Sequence, residues 1–120
     1  MAGDGVHRAD GLRERLAGLP GWSAGEGDAD IRRTYATSGW KATLMVVNAI
    51  GWLAEAAWHH PDLVVSYGSV EVRLTSHDAG GVTDRDLALA RRIDEVVGWR
   101  PGGEDGPFTG PPESAAPLKP

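Results

Sequence analysis

The sequence contains no cysteine and only one phenylalanine among its 120 residues. Without cysteine the chain can form no disulfide, no thiolate zinc site and no cysteine nucleophile. It also has no uninterrupted apolar run near the roughly 20 residues that a membrane-spanning helix needs. The N-terminus lacks a basic start followed by an apolar stretch, so we expect no secretory signal. We therefore expect a cytoplasmic protein that does not bind membranes.

Basic residues are scarce as well, with 12 Lys and Arg against 17 Asp and Glu and a net charge of −5. The basic residues alternate with acids, as at Arg13, Glu14 and Arg15. A nucleic-acid backbone needs a positive surface on the protein that binds it. Direct binding of nucleic acid is therefore not expected.

The composition changes near residue 100. A chain of this length supports one domain, and we predict that residues 1–99 form it. Residues 100–120 hold six of the eight prolines and have no apolar periodicity. We predict that this tail is disordered.

Apolar periodicity and turn residues predict seven elements within the domain. Their order is helix, strand, strand, helix, strand, strand, helix, at about 10–18, near Trp22, and at 31–37, 39–59, 63–67, 70–76 and 83–97. The strand over 70–76 alternates cleanly between apolar and polar residues, as in a sheet with one wet face. The order predicts an α+β fold: a four-stranded antiparallel sheet with helices packed on one face.

The longest predicted helix is apolar around much of its circumference. Ser38 is predicted to cap it. A helix of this kind is buried on more than one side, so one side should pack on the sheet and the other should form an oligomer interface. The two apolar stripes are Trp40, Leu44, Val47, Gly51, Ala54 and Trp58, and Thr43, Val46, Ile50, Leu53 and Ala57.

Three of the four histidines, His59, His60 and His77, lie within 19 residues. Glu55 and His59 are four residues apart on a helix and so share a face. His60 follows where Pro61 ends the helix, and His77 ends the alternating strand. Imidazole can move protons in either direction near neutral pH. The pattern therefore indicates a candidate site for acid–base chemistry.

The spacing alone leaves other interpretations open. Histidines near the end of a helix are favoured by its dipole. Asp86, three residues after Thr83, is what a capping box requires. The three histidines could bind zinc, although adjacent histidines diverge. His7, in a polar stretch, is expected to be exposed.

A long set of residues stands at fixed spacings. Its motifs are Leu19-x-Gly21-Trp22, Glu55-x-x-x-His59-His60-Pro61-Asp62, Tyr67, Val70-x-Val72-x-Leu74-x-Ser76-His77 and Gly80-Gly81-Val82-Thr83-x-x-Asp86. This set, over roughly residues 12–97, resembles the pterin-4a-carbinolamine dehydratases, a family also known as the dimerisation cofactor of a homeodomain transcription factor.

The resemblance implies a homodimer or homotetramer that dehydrates a 4a-hydroxytetrahydropterin to a quinonoid dihydropterin, in tetrahydrobiopterin recycling. The substrate would be the adduct left by an aromatic amino acid hydroxylase, a possible functional partner. His59, His60 and His77 would surround the reacting carbon, Asp86 would orient His77, and no metal or cofactor would be needed. The residues implied in substrate binding are Glu55, Pro61, Ser76, Asp78 and Trp22.

Two residues depart from the family pattern. Trp58 stands where the family usually has Asp or Asn, so a polar contact near the site is missing. Trp40 follows Gly39 where a Phe-containing segment is usual. The alternative function is a non-catalytic dimerisation cofactor or assembly factor on the same fold. The intact histidine trio favours the enzyme.

Overall fold

The computed structural model describes residues 5–101, 106–112 and 115–119. The predicted order of helices and strands is confirmed, and the fold is α+β. In chain order the elements are helix α1 (Ala9–Leu16), strand β1 (Ser23–Ala24), a short 3₁₀ turn (Glu26–Asp28), strand β2 (Ile31–Ala36), helix α2 (Trp40–Ala57), strands β3 (Asp62–Ser66) and β4 (Ser69–Leu74), and helix α3 (Asp84–Val97).

The four strands form one antiparallel sheet in the order β1-β2-β4-β3. Strand β4 is central, and its alternation has the predicted effect: Val70, Val72 and Leu74 are fully buried, whereas Glu71 and Arg73 are only partly so. The inner face of the sheet therefore makes the core, and β3 lies at an edge.

Helix α2 buries one of its two predicted stripes against this core: Thr43, Val46, Ile50 and Leu53 are buried. Much of the other stripe is exposed, including Trp40 and Trp58. Within the described residues, no helix is long and apolar enough to cross a membrane.

The cap predicted for α2 is wrong. Gly39 occupies the N-cap position in place of Ser38, and no side chain caps the helix there. The φ of Gly39 is 146°. That backbone conformation favours glycine because a Cβ would be strained in it.

Asp94 links α3 to the sheet through hydrogen bonds. Its carboxylate accepts hydrogen bonds from Trp22 Nε1 at 3.1 and 3.0 Å, from Arg33 Nη1 at 2.9 Å and from the hydroxyl of Tyr35. Burial, and then the hydrogen bond to Asp94, raises the pKa of Tyr35. These contacts fix the position of α3 on the sheet, and with it the position of the first turn of α3.

Residues 115–119, which belong to the tail predicted to be disordered, pair with the end of β2. Leu118 pairs with Thr37 just beyond the end of β2, where Lys119 N donates to Ala36 O at 3.0 Å and Ser38 N donates to Pro117 O at 3.1 Å. The composition does not indicate this pairing, because the pairing is made by backbone N–H and C=O groups, which a proline-rich segment still has. Residues 102–105, 113–114 and 120 of the predicted tail lie outside the described residues.

Removing residues 115–120 is therefore expected to destabilise the protein. Two backbone hydrogen bonds to the 36–38 segment would be lost, at about 1 kcal/mol each. The melting temperature should fall by roughly 5–15 °C for a domain of this size. Lys119→Pro, which removes only the N–H that bonds to Ala36, should give a smaller fall, and Lys119→Ala should give none. An unchanged melting temperature on truncation would show that the segment contributes nothing.

Candidate functional site

The candidate site forms where the end of α2 meets the first turn of α3. Helix α2 ends at Ala57 and is followed by its C-cap residue Trp58, whose φ of 53° and ψ of 46° are left-handed. The N–H groups of Trp58 and His59 then donate back to Glu55 and Ala54 at 3.2 and 3.0 Å. This reversal sends the chain out of the helix with His59 and His60 adjacent at its end.

Asp86 is the buried centre of the site, with no solvent exposure. Its Oδ1 lies 2.5 Å from His59 Nε2. Its Oδ2 accepts hydrogen bonds from Ser76 Oγ at 2.7 Å and from the backbone N–H of Thr83 at 2.9 Å. The backbone N–H of Thr83 can only donate, and an ionised carboxylate can only accept. Asp86 therefore acts as a fixed acceptor.

This arrangement determines the tautomer of His59. Because Asp86 accepts, His59 Nε2 carries the proton that it donates. In the neutral ring, Nδ1 then has the free lone pair. The side chain of His59 is 12% exposed, which leaves a small part of the ring accessible. His59 is thus held in one orientation, with Nδ1 as the nitrogen able to exchange a proton.

Two buried hydroxyl groups support Asp86 from the other side. The hydroxyls of Thr83 and Ser76 are 2.8 Å apart, so Thr83 can donate to Ser76, which donates to Asp86. Thr83 and Asp86 also form the predicted capping box at the start of α3. Asp86 can therefore cap α3 and bind His59 at the same time, because its two oxygens face different partners.

The implied pairing of Asp86 with His77 is wrong, since the carboxylate binds His59 instead. Neighbouring residues of an extended segment point to opposite sides. Ser76 takes the inner position and is fully buried, which leaves His77 exposed. His77 lies at the start of a tight loop that the bridge between Ser76 and Gly81 closes.

A second histidine–carboxylate pair lies on the surface beside the first. His60 Nε2 is 2.8 Å from Glu55 Oε1, and both side chains are at least half exposed. The ring of Trp58 meets the ring of His60 edge-on, with centroids 5.0 Å apart. The end of α2 thus presents a carboxylate, an imidazole and an indole side by side.

Pro61 and Asp78, two of the implied substrate-binding residues, directly follow His60 and His77 in the chain. Asp78 accepts two hydrogen bonds from Arg85, at 2.9 and 3.1 Å. The hydrogen bond from Arg85 lowers the pKa of Asp78, against an opposing effect of desolvation. Pro61, directly after His60, is partly buried.

Ser76 and Trp22 take places in the core. Ser76 is fully buried, and its hydroxyl donates a hydrogen bond to Asp86. Trp22 is buried and bonds to Asp94, about two turns of α3 beyond Asp86. The structure does not bring Trp22 to the histidines.

His7 differs from the expectation of a freely exposed side chain. Its Nε2 lies 2.7 Å from Asp84 Oδ1, and its backbone N–H donates to Val82 O at 2.8 Å. The N-terminal segment therefore lies along the loop that leads into α3.

An apolar groove of about 700 Å³ runs between α2 and α3. His59 lines this groove, whereas Glu55, His60, His77 and Asp86 do not. The rest of its lining is Trp52, Leu53, Ala56, Ala57, Arg85, Ala88, Leu89, Arg92 and Val96. Among the residues that the structure describes, no three His, Cys, Asp or Glu side chains are grouped so that they could hold a metal ion.

The support of Asp86 by Ser76 could have been found in the sequence. Val70, Val72, Leu74 and Ser76 share one face of the strand pattern, so Ser76 is a polar residue at an inward position. A buried hydroxyl needs a hydrogen-bond partner. The carboxylate of Asp86, which the sequence predicts to cap α3, could have been proposed as that partner.

Comparison with known proteins places these observations in context. The family model described as pterin 4 alpha carbinolamine dehydratase matches residues 7–96. A protein of Aquifex aeolicus is 50% identical over 86 residues, covering 72% of this chain and 85% of its own length. One of Chloroflexus aggregans is 45% identical over 87 residues, covering 72% and 92%. Both are provisionally named as pterin-4-alpha-carbinolamine dehydratases.

Two solved structures are similar in fold. One, titled a transcriptional coactivator/pterin dehydratase from Brucella melitensis, has a TM-score of 0.72 and 26% identity over 77% of this chain and 98% of that one. The other is titled a pterin dehydratase-like protein that is a RuBisCO assembly factor in the alpha-carboxysome. It has a TM-score of 0.56 and 20% identity over 66% and 92% of the two chains, a likeness of fold alone.

Proposed function

We propose, because the chain belongs to the pterin 4 alpha carbinolamine dehydratase family, that it removes water from a 4a-hydroxytetrahydropterin. The observation that best supports this is the buried pair of Asp86 and His59, whose nitrogen and oxygen lie 2.5 Å apart. A histidine oriented by a buried carboxylate is a common device for proton transfer in enzymes.

The reaction needs one proton removed and one supplied. The C4a–O bond breaks as the hydroxyl takes a proton and leaves as water. The N5–H proton goes to a base, and its electron pair forms the C4a=N5 double bond of the quinonoid dihydropterin. Protons therefore balance, and no electrons are exchanged with another group. A pair of positioned imidazoles suffices for this chemistry.

His59 is the base in this proposal. Its Nδ1 holds the free lone pair because Nε2 donates to Asp86. The charge of Asp86 stabilises the imidazolium that forms when His59 takes the N5 proton. His60 and His77 are both exposed, and either could protonate the leaving hydroxyl.

The proposed place of the pterin is the polar end of α2, where His59 lines the groove, and not the apolar length of the groove between α2 and α3. The pyrimidine edge of a pterin consists of hydrogen-bond donors and acceptors, and these lose free energy if they are buried without partners. Most of the groove lining is apolar, whereas Glu55 and His60 offer polar groups. Glu55 is the proposed partner of the pyrimidine edge.

The protein is also proposed to be a homodimer or homotetramer. Val64 and Val65, on edge strand β3, are exposed, as are Leu44 and Trp52 on α2. Unpaired strand edges and exposed apolar patches are typical of surfaces that other chains cover. A second copy pairing along β3 would extend the sheet and cover the edge.

The physiological setting follows from the family resemblance alone. An aromatic amino acid hydroxylase would form the adduct, and the dehydratase would serve tetrahydrobiopterin recycling. A cytoplasmic location stays a prediction from the sequence. The non-catalytic alternative, a dimerisation cofactor or assembly factor, would use the same exposed surfaces but would not need a buried carboxylate on His59.

The proposal is tested by adding purified protein to a freshly formed 4a-hydroxytetrahydropterin in the presence of a metal chelator. We expect faster loss of the adduct absorbance than in buffer, with no change in rate when the chelator is omitted, because the protein needs only to supply and remove protons while the C4a–O bond breaks. Activity that disappears with chelator and returns with zinc would contradict the metal-free mechanism. An interaction protein would give no acceleration in either condition.

A further inference from the structure

The side chain of Trp58 is placed in an unusual way for a tryptophan. It is 75% exposed, so the indole gains little from burial in the described chain. Its backbone is left-handed, with φ of 53°, at a helix end where glycine or asparagine is the usual residue. A bulky residue rarely adopts that conformation. The fold therefore gains nothing evident from an indole here, and strain of this kind often marks a functional position.

Trp58 also borders the residues proposed to act on the substrate. Its ring meets that of His60 at an interplanar angle of 82°, with centroids 5.0 Å apart. His60 in turn contacts Glu55, the proposed partner of the pyrimidine edge. An exposed aromatic face thus stands next to a polar group suited to the edge of a planar, bicyclic ligand.

We propose that Trp58 is a substrate-binding residue, whose exposed indole packs against the ring system of the pterin and sets the affinity of the site. The inference rests on the proposed function. Although C4a is tetrahedral in the adduct, the part of its pyrimidine ring around N1, C2 and N3 stays planar, conjugated and polar at its edge, as in a nucleobase. Proteins that bind single-stranded nucleic acid stack such bases on exposed aromatic side chains.

The planar part around N1, C2 and N3 keeps its shape as C4a loses its hydroxyl, so a stacking contact with that part would be made alike in the bound substrate and in the transition state. Binding both states equally changes the apparent affinity and leaves the chemical step alone. Losing the indole should therefore raise KM and preserve kcat. The expected rise is about tenfold, within the range that aromatic–base stacking contributes.

Trp58→Asn is the variant for the test, because asparagine tolerates the left-handed backbone. We expect a KM about tenfold higher, a kcat close to native and a melting temperature at or above that of the native protein. The dissociation constant of a stable 7,8-dihydropterin, measured by calorimetry, should rise by the same factor. Trp58→Phe keeps an aromatic face and should stay near the native values.

Trp40→Asn is the matched control. Trp40 is also an exposed tryptophan of α2, but it lies at the other end of the helix, ~27 Å away at 1.5 Å per residue. It should not change KM or dihydropterin binding.

The inference alone fails if the native protein turns over the adduct and Trp58→Asn has a native KM and dissociation constant. It also fails if Trp58→Phe loses as much binding as Trp58→Asn, or if Trp58→Asn changes the number of subunits without changing KM. A native protein that neither turns over the adduct nor binds dihydropterin would overturn the proposed function, and the inference with it.

Discussion

Asp86→Asn is expected to lower turnover by on the order of 10²–10⁴-fold, the range found when a positioned acid or base, or the carboxylate that orients it, is disabled. Thr83 N–H can only donate, so the amide oxygen of the new side chain must face Thr83. The amide nitrogen, a donor, then faces His59 Nε2. His59 would have to accept there and carry its proton on Nδ1, the wrong tautomer for a base.

The stability of Asp86→Asn should change far less than its rate. The amide still fills the same space and still accepts at the helix start, so we expect a loss of about 1–2 kcal/mol. Asp84→Asn is the matched control, because Asp84 lies in the same turn of α3 but its side chain is 73% exposed. It should keep near-native turnover. If Asp86→Asn folds normally and keeps near-native turnover, the role of Asp86 is structural only.

His59→Ala is expected to reduce turnover by a similar factor, on the order of 10²–10⁴, because the base itself is removed. It should also destabilise the protein by about 1–3 kcal/mol, since Oδ1 of the buried Asp86 would lose its partner. Turnover and melting temperature measured on the same preparation separate the two effects.

His59→Gln isolates the loss of the base. The glutamine amide can still donate to Asp86 but cannot take up a proton, so the melting temperature should approach the native value while turnover stays low. His7→Ala, which removes a histidine whose carboxylate partner is largely exposed, should retain native turnover. If His59→Ala and His7→Ala were equally active, the assignment of the site would be wrong.

Much of the fold could be predicted because local patterns and packing agree. The alternation from Val70 to Leu74 marks a strand with one buried face, and the burial of these residues confirms it. Thr83 and Asp86 carry the spacing of a capping box, and that box is formed. Each of these patterns depends on residues close in sequence, for which the geometry of a helix or strand is known in advance.

Local sequence patterns could not identify His59 as the histidine that binds Asp86. The family resemblance implied His77 as the partner of Asp86, and sequence patterns could not point to His59 instead, since the pairing depends on how α2 packs against α3. The observed outcome follows from register: Ser76 occupies the inner position, and His77 is therefore exposed. The pairing of residues 115–119 escaped prediction for a related reason, because it joins distant backbone groups and leaves no side-chain pattern.

The central claim is that this chain dehydrates a 4a-hydroxytetrahydropterin with His59 as the base. The most direct measurement is the single-turnover rate of adduct loss, with enzyme in excess, for the native protein and for His59→Gln. We predict a first-order loss far faster than the spontaneous reaction for the native protein, and a rate lower by on the order of 10²–10⁴ for the variant. Equal rates for the two proteins, or a native rate no faster than that in buffer, would contradict the account.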